Sequence, residues 1–224
     1  LSTPDSFIDE VTQEVRRDRL FAVFRKYGWI AVLVVVGIVV GAAWNEWQKA
    51  RAVAQAQAFG DAVLDSLDLG GPDDRRAALA ALPANGGQIA VRQLLLASDP
   101  TEDRAGTLAA LEALAADAGQ PQVYRDLASL RRVTVVGAEV PVADRRAALE
   151  PLTAPGRPFR TLALEQLAYL LVEDGKTPEA ITALTALLQD QEAPGGLRRR
   201  AAQMITALGG EVPEPASSAP VQDG

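Results

Sequence analysis

Along most of the chain polar and apolar positions alternate within a few residues, but from Tyr27 to Asn45 no charge interrupts the run between Lys26 and Glu46. A helix rises about 1.5 Å per residue, so the run reaches roughly 28 Å, close to the ~30 Å hydrocarbon core of a bilayer. Its centre, Ile30 to Gly41, is rich in β-branched residues. No ordinary strand is that long, so the pattern predicts a transmembrane helix over 27–47. From Glu46 to Asp68 no breaker occurs apart from Gly60, so the span is expected to run directly into the first helix of a further domain. After Gly70-Gly71-Pro72, apolar residues recur with helical spacing between breaks that contain Pro or Gly. This predicts helices over 73–82, 87–97, 101–117, 121–135, 142–152, 158–173, 177–189 and 197–208. The β-branched segment 133–142 is expected to be a helix end plus loop. The fold class is therefore all-α, one N-terminal transmembrane helix followed by stacked helix hairpins over 48–208. The Pro- and Ser-containing stretch 209–224 has too little apolar surface to fold and is expected to be a disordered tail.

Residues 1–26 form a separate segment. Thr3-Pro4-Asp5 has the chemistry of a helix start, and Ile8, Val11 and Val15 make one apolar stripe. Such a segment suits an amphipathic helix at the membrane surface, a docking helix for a cytoplasmic partner, or a solvated lead-in that carries charge. Its bases Arg16, Arg17, Arg19, Arg25 and Lys26 outnumber Lys49 and Arg51 beyond the span. Cationic flanks are retained in the cytoplasm, which predicts a cytoplasmic amino terminus and a C-terminal domain outside the inner membrane, in the periplasm of a bacterium with two membranes. Tyr27 and Trp29 at one end and Trp44 and Trp47 at the other suit the headgroup level. Gly41-Ala42-Ala43 offers a small-residue cleavage site, but the apolar run is long for a signal peptide, so a retained anchor is the preferred reading. Gly37 and Gly41 have small-xxx-small spacing and Asn45 continues their face. That pattern either packs a second membrane helix or reflects the ordinary glycine content of such spans.

Charge and composition then narrow the chemistry. The 224 residues carry a net charge of −7, and because residues 1–26 balance five acids with five bases, the excess lies beyond the span. An acidic domain lacks the clustered cations that nucleic acid requires. Cys and His are both absent. That removes thiol nucleophiles, disulfides, Ser-His-Asp chemistry and the commonest metal sites. No phosphate-binding loop, calcium loop or dinucleotide fingerprint occurs. The acids stand singly or as Asp73-Asp74 and Glu173-Asp174 at expected helix ends. An enzyme would have to work with carboxylates alone, so no catalytic residue, cofactor, metal or small-molecule substrate is expected.

Leu111, Leu149 and Leu187 recur 38 residues apart, and Leu94, Leu127 and Leu167 recur at 33 and 40. Such periods point to stacked helix hairpins. Within residues 164–187, Leu164, Leu167, Ala168, Leu171, Gly175, Ala180, Leu184 and Leu187 stand at the spacing of a tetratricopeptide repeat, which this segment resembles. Small residues at 168 and 180 let paired helices approach, and Gly175 falls in the turn between them. The earlier units lack the turn glycine and the Glu-Ala pair.

Ser6-Phe-Ile-Asp-Glu10, the basic stretch before the span, the Gly28-Trp-Ile30 entry, the Trp44-Asn-Glu-Trp47 exit and the degenerate repeats together resemble the single-span tetratricopeptide-like family typified by the ancillary subunit of the SecYEG translocon. The resemblance implies a non-catalytic inner-membrane protein whose periplasmic domain works beside the export channel with a membrane-anchored chaperone or prolyl isomerase. An accessory or assembly subunit of another inner-membrane complex, such as a respiratory one, is the second expectation. Stacked hairpins expose an extended surface for a helix or peptide, and the first-helix positions Arg92, Gln93, Arg125, Gln166 and Tyr169 are the candidate partner groove.

Overall fold

A computed structural model describes residues 4–213, and for residues 4–28 and Ala31 it describes the backbone alone. The sequence-predicted topology charges Arg16, Arg17, Arg19, Arg25 and Lys26, the side chain of Tyr27 and residues 214–224 thus lie outside the described set. Every regular element among the described residues is helical. The chain divides into two compact units with the break between Asp61 and Ala62.

Helix α1 (Pro4–Leu67) is continuous, as the absence of breakers between Glu46 and Asp68 predicts. Along residues 32–47 its side chains are exposed throughout. Ile30, the valines and leucine of 32–36, and Ile38, Val39 and Val40 each keep 42–67% of their surface accessible. An added Cβ at Gly37 or Gly41 would meet no atom within 4 Å. Within the described residues no helix is long and apolar enough to cross a membrane. The expected span begins at Tyr27 and includes Ala31, whose side chains fall outside that set.

The second unit contains α2 (Pro72–Ala81), α3 (Gly87–Leu96), α4 (Arg104–Ala116), α5 (Gln122–Val136), α6 (Val142–Leu149), α7 (Arg160–Glu173), α8 (Thr177–Gln189) and α9 (Gly195–Ala207). The expected helices agree with these to within three residues; α6 ends three residues early, at Leu149, and α4 starts three residues late, at Arg104. The cause is local. Asp99 accepts from the amides of Thr101 and Glu102 and from the Thr101 hydroxyl, and this turn occupies the residues that periodicity alone assigns to helix. Asp103 then caps α4 by accepting from the Gly106 amide at 2.8 Å. The β-branched segment stays helical to Val136, after which Gly137 turns the chain at φ 52° and a short 3-10 turn covers 137–139.

From α2 onward each helix packs on the next in sequence, and α7 also touches α9. Three apolar cores follow in order. Ala90, Ala97, Ala110, Leu111, Leu114 and Ala128 join α3, α4 and α5. Leu130, Val133, Leu149, Leu152, Ala163 and Leu170 join α5, α6 and α7. Ala168, Leu184, Leu187, Ala193, Leu197, Ala201 and Ile205 join α7, α8 and α9. The helices α5 and α7 each serve two cores from opposite flanks. This is the neighbour-to-neighbour packing of a repeat array, in which one hairpin cannot bury its apolar face alone.

The repeat read from residues 164–187 is α7, a turn and α8. Ala168, Ala180 and Leu184 are fully buried and Leu187 nearly so. Gly175 takes φ 72°, the Lys176 amide donates to the Leu171 carbonyl and the Gly175 amide to that of Val172. This pair of bonds satisfies the last carbonyls of α7 and requires a left-handed residue between them. The same geometry ends α9 at Gly209, with the Gly210 amide on the Ile205 carbonyl. Gly209 and Gly210 therefore finish a helix, and the expected tail loses its first two residues.

Candidate functional site

The partner groove expected from the sequence falls on the first helices of successive hairpins, which are α3, α5 and α7. The five candidate groove residues sit on those helices, each half-buried. Two are engaged internally. Arg92 donates from Nη1 to the Leu82 carbonyl at 2.6 Å, closing the C-terminal end of α2. The Tyr169 hydroxyl donates to Glu165 at 2.9 Å. The Nε atoms of both Arg92 and Arg125 are buried without a hydrogen-bond partner. Among the described residues no hydrogen bond joins any two of the five.

Arginine proves to be the residue that positions these helices. Arg131 on α5 reaches the Ala97 carbonyl at the end of α3, at 2.7 Å. Arg104 on α4 donates to the Val135 and Val136 carbonyls at the end of α5 and pairs with Glu139. Arg145, itself buried, donates from Nε to the Val140 carbonyl and holds Glu173 at the end of α7 through its two terminal nitrogens, Nη1 and Nη2. Arg160 bridges Asp190 and Glu192 beyond α8. Helix C-termini carry exposed carbonyls and a partial negative charge, so a guanidinium there satisfies acceptors and complements the dipole together. Glu173 is thus more than an acid at a solvated helix end, the role its position suggests. The Arg145 guanidinium beside it keeps its carboxyl below the ordinary value of 4.5. Asp190 is likewise held below 3.8, first by the backbone amide of Glu192 and, against partial burial, by Arg160.

The deepest charge is Glu165 on α7, 2% exposed. Arg200 on α9 meets it with two bonds at 2.9 and 2.7 Å while staying half exposed itself. Burial, then the neighbouring Glu165, raises the Tyr169 phenol above its usual 10.0. A second buried acid, Asp126 on α5, pairs with Arg157 at 3.0 Å, leaving its other oxygen without a partner. The pairs made by Arg104, Arg131, Arg145, Arg157, Arg160 and Arg200 link residues 28–35 apart in sequence. Opposite charges one repeat apart were the available signal, and the leucine spacing that defines the repeat does not carry it.

At the first end of the array, a shallow concavity of about 450 Å³ lies between α2 and α4, lined mainly by Ala77, Ala80, Leu96, Ala109 and Ala110. Gly106 lets Arg76 cross to Asp103 at 2.6 Å, since a Cβ there would stand 2.1 Å from the Arg76 guanidinium. Groups of three or more acidic side chains able to hold a metal ion do not occur among the described residues.

Successive hairpins, shared helices and the glycine-ended repeat describe a tetratricopeptide-like architecture, and the tetratricopeptide repeat-like domain family matches residues 22–208. The chain belongs to that family. The match of this tetratricopeptide repeat-like protein starts ahead of the apolar run, so it covers residues 22–67 of α1 as well as the hairpins. No curated protein and no solved structure matches the chain. A repeat-like domain of this kind is a scaffold for protein partners.

Proposed function

We propose that this protein is a membrane-anchored scaffold, tethered to the bacterial inner membrane by 27–47 with residues 48–208 in the periplasm, where its repeat-like domain binds the protein-export channel and a membrane-anchored chaperone. The observation that carries the anchor is the sheath of exposed valine, isoleucine and leucine all round α1 between Ile30 and Val40. A helix apolar on every side belongs in a protein core or in lipid, and among the described residues no protein core surrounds this stretch. A single helix in lipid satisfies all its backbone polar groups internally. Arginine and lysine before the span favour a cytoplasmic amino terminus. The translocon is favoured as partner by the order of elements, basic lead-in, Gly-Trp-Ile entry, Trp-rich exit and degenerate repeats. Tethering raises the local concentration of the hairpin surface for anything else held in the same membrane.

Two measurements on the full chain test this. Alkaline carbonate washing should leave it in the membrane pellet, and release into the supernatant removes the anchor. Affinity purification in mild detergent, after crosslinking from the periplasmic face, should recover the export channel. Recovery of a respiratory or other complex in its place replaces the translocon assignment while keeping the scaffold.

A further inference from the structure

Where the apolar sheath of α1 ends, three side chains share one side of the helix. Trp44, Trp47 and Arg51 stand at i, i+3 and i+7, within about 60° of one another around the axis. The two indoles lie with ring centroids 5.2 Å apart, tilted by 45°, and both remain about half exposed. Arg51 lays its guanidinium over the Trp47 ring, with Cζ 4.5 Å from the centroid. A cation on an indole face gains electrostatic attraction without using its N–H groups. The edge of the guanidinium, a planar fork of donors matched to two oxygens, is left open. Arg51 makes no hydrogen bond or ion pair among the described residues, whereas the arginines that tie the hairpins together donate to carbonyls or carboxylates. Glu46, the nearest acid in sequence, lies about 140° round the helix from it.

We propose that Trp47 and Arg51 form a phosphate-binding collar for the bilayer, with the indole at the boundary of the acyl chains and the guanidinium forked onto the phosphodiester of a phospholipid in the outer leaflet. Charge selects the occupant. A pre-oriented guanidinium, unpaired among the described residues, at the edge of an apolar band complements an anion at headgroup depth, and a phosphodiester offers two oxygens there. Lys49, two residues from Arg51, adds positive charge at the same level without sharing the stacked face. The collar would fix how far α1 enters the membrane. It rests on the anchored reading, and the experiment separates the two.

The full chain carrying Trp29→Phe and Trp44→Phe, so that Trp47 is the sole indole, is reconstituted in phosphatidylcholine nanodiscs containing lipids brominated either near the headgroup or near the chain ends. Trp47 should be quenched preferentially by the headgroup-proximal bromines. Arg51→Ala should lower that preference about fivefold, the usual effect of one arginine at a bilayer surface, and Arg51→Lys should restore part of it. Equal preference in the parent and Arg51→Ala, with both chains inserted and quenched, overturns the collar and leaves the anchor standing. Absence of quenching at either depth overturns both. In uncharged detergent, inorganic phosphate should leave Trp47 emission unchanged; a saturable change marks a free-ion site and overturns the assignment to lipid.

Discussion

Gly175 shows how much one residue decides. Its left-handed conformation lets two amides reach back to the last carbonyls of α7, and in the same turn it starts α8 at Thr177. A side chain has room there, since an added Cβ would meet no atom within 4 Å. The whole cost of Gly175→Ala therefore comes from the backbone, and a loss of about 1–2 kcal/mol is expected. Gly106→Ala differs, because the new methyl displaces Arg76 and crowds Asp103, the cap of α4. About 1 kcal/mol should be lost with that cap. Urea midpoints of the two variants check both values. Suppressing the Gly106→Ala loss by adding Arg76→Ala would assign it to the crowding, and an unchanged loss would assign it to the cap alone.

At the scale of elements, Glu165 and Arg200 tie α7 to α9 unequally. Glu165 is buried, whereas Arg200 is half exposed and can return to water. Arg200→Ala leaves a carboxylate in the interior with the Tyr169 hydroxyl as its remaining side-chain donor, and should cost about 3–5 kcal/mol. Glu165→Gln leaves no buried charge, and the expected loss is about 1–2 kcal/mol. Chemical denaturation of both variants measures the difference, and equal losses would mean that the carboxylate is not stranded. Helix positions were legible in the sequence because breakers and leucine spacing act locally. The α7–α8 hairpin could be read residue by residue, since its alanines and turn glycine answer to close packing and backbone geometry. The start of α4 was not, because the Asp99 turn competes for the same residues. Nor were the uses of Arg92 and Tyr169, which are polar first-helix positions by pattern yet spend their donors on Leu82 and Glu165. Those partners are fixed by tertiary packing, which periodicity does not encode.

For the whole molecule, charge sets the response to acid. Glu173, Asp174, Asp190 and Asp99 all have carboxyls held below their ordinary values, by Arg145, by Lys176, by the Glu192 amide and by the Thr101 hydroxyl respectively. A carboxyl depressed in the folded state takes up its proton first in the unfolded chain, so its stabilisation is complete above about pH 5 and is lost as the pH falls. The urea midpoint should hold from pH 7 to 5 and then drop through 4.5 and 3.8, the ordinary values for Glu and Asp. Arg145→Gln should flatten part of that slope, and an unaltered profile would remove Glu173 from the account. The sharing of α5 and α7 between neighbouring cores reaches further. An array joined mainly through neighbours can fray from one end while the rest stays closed, so α9, once its Arg200 tie to α7 opens, peels away at a fraction of the cost of melting the domain. Amide protons would then exchange in a gradient along the chain, slowest where a helix is clasped from two sides.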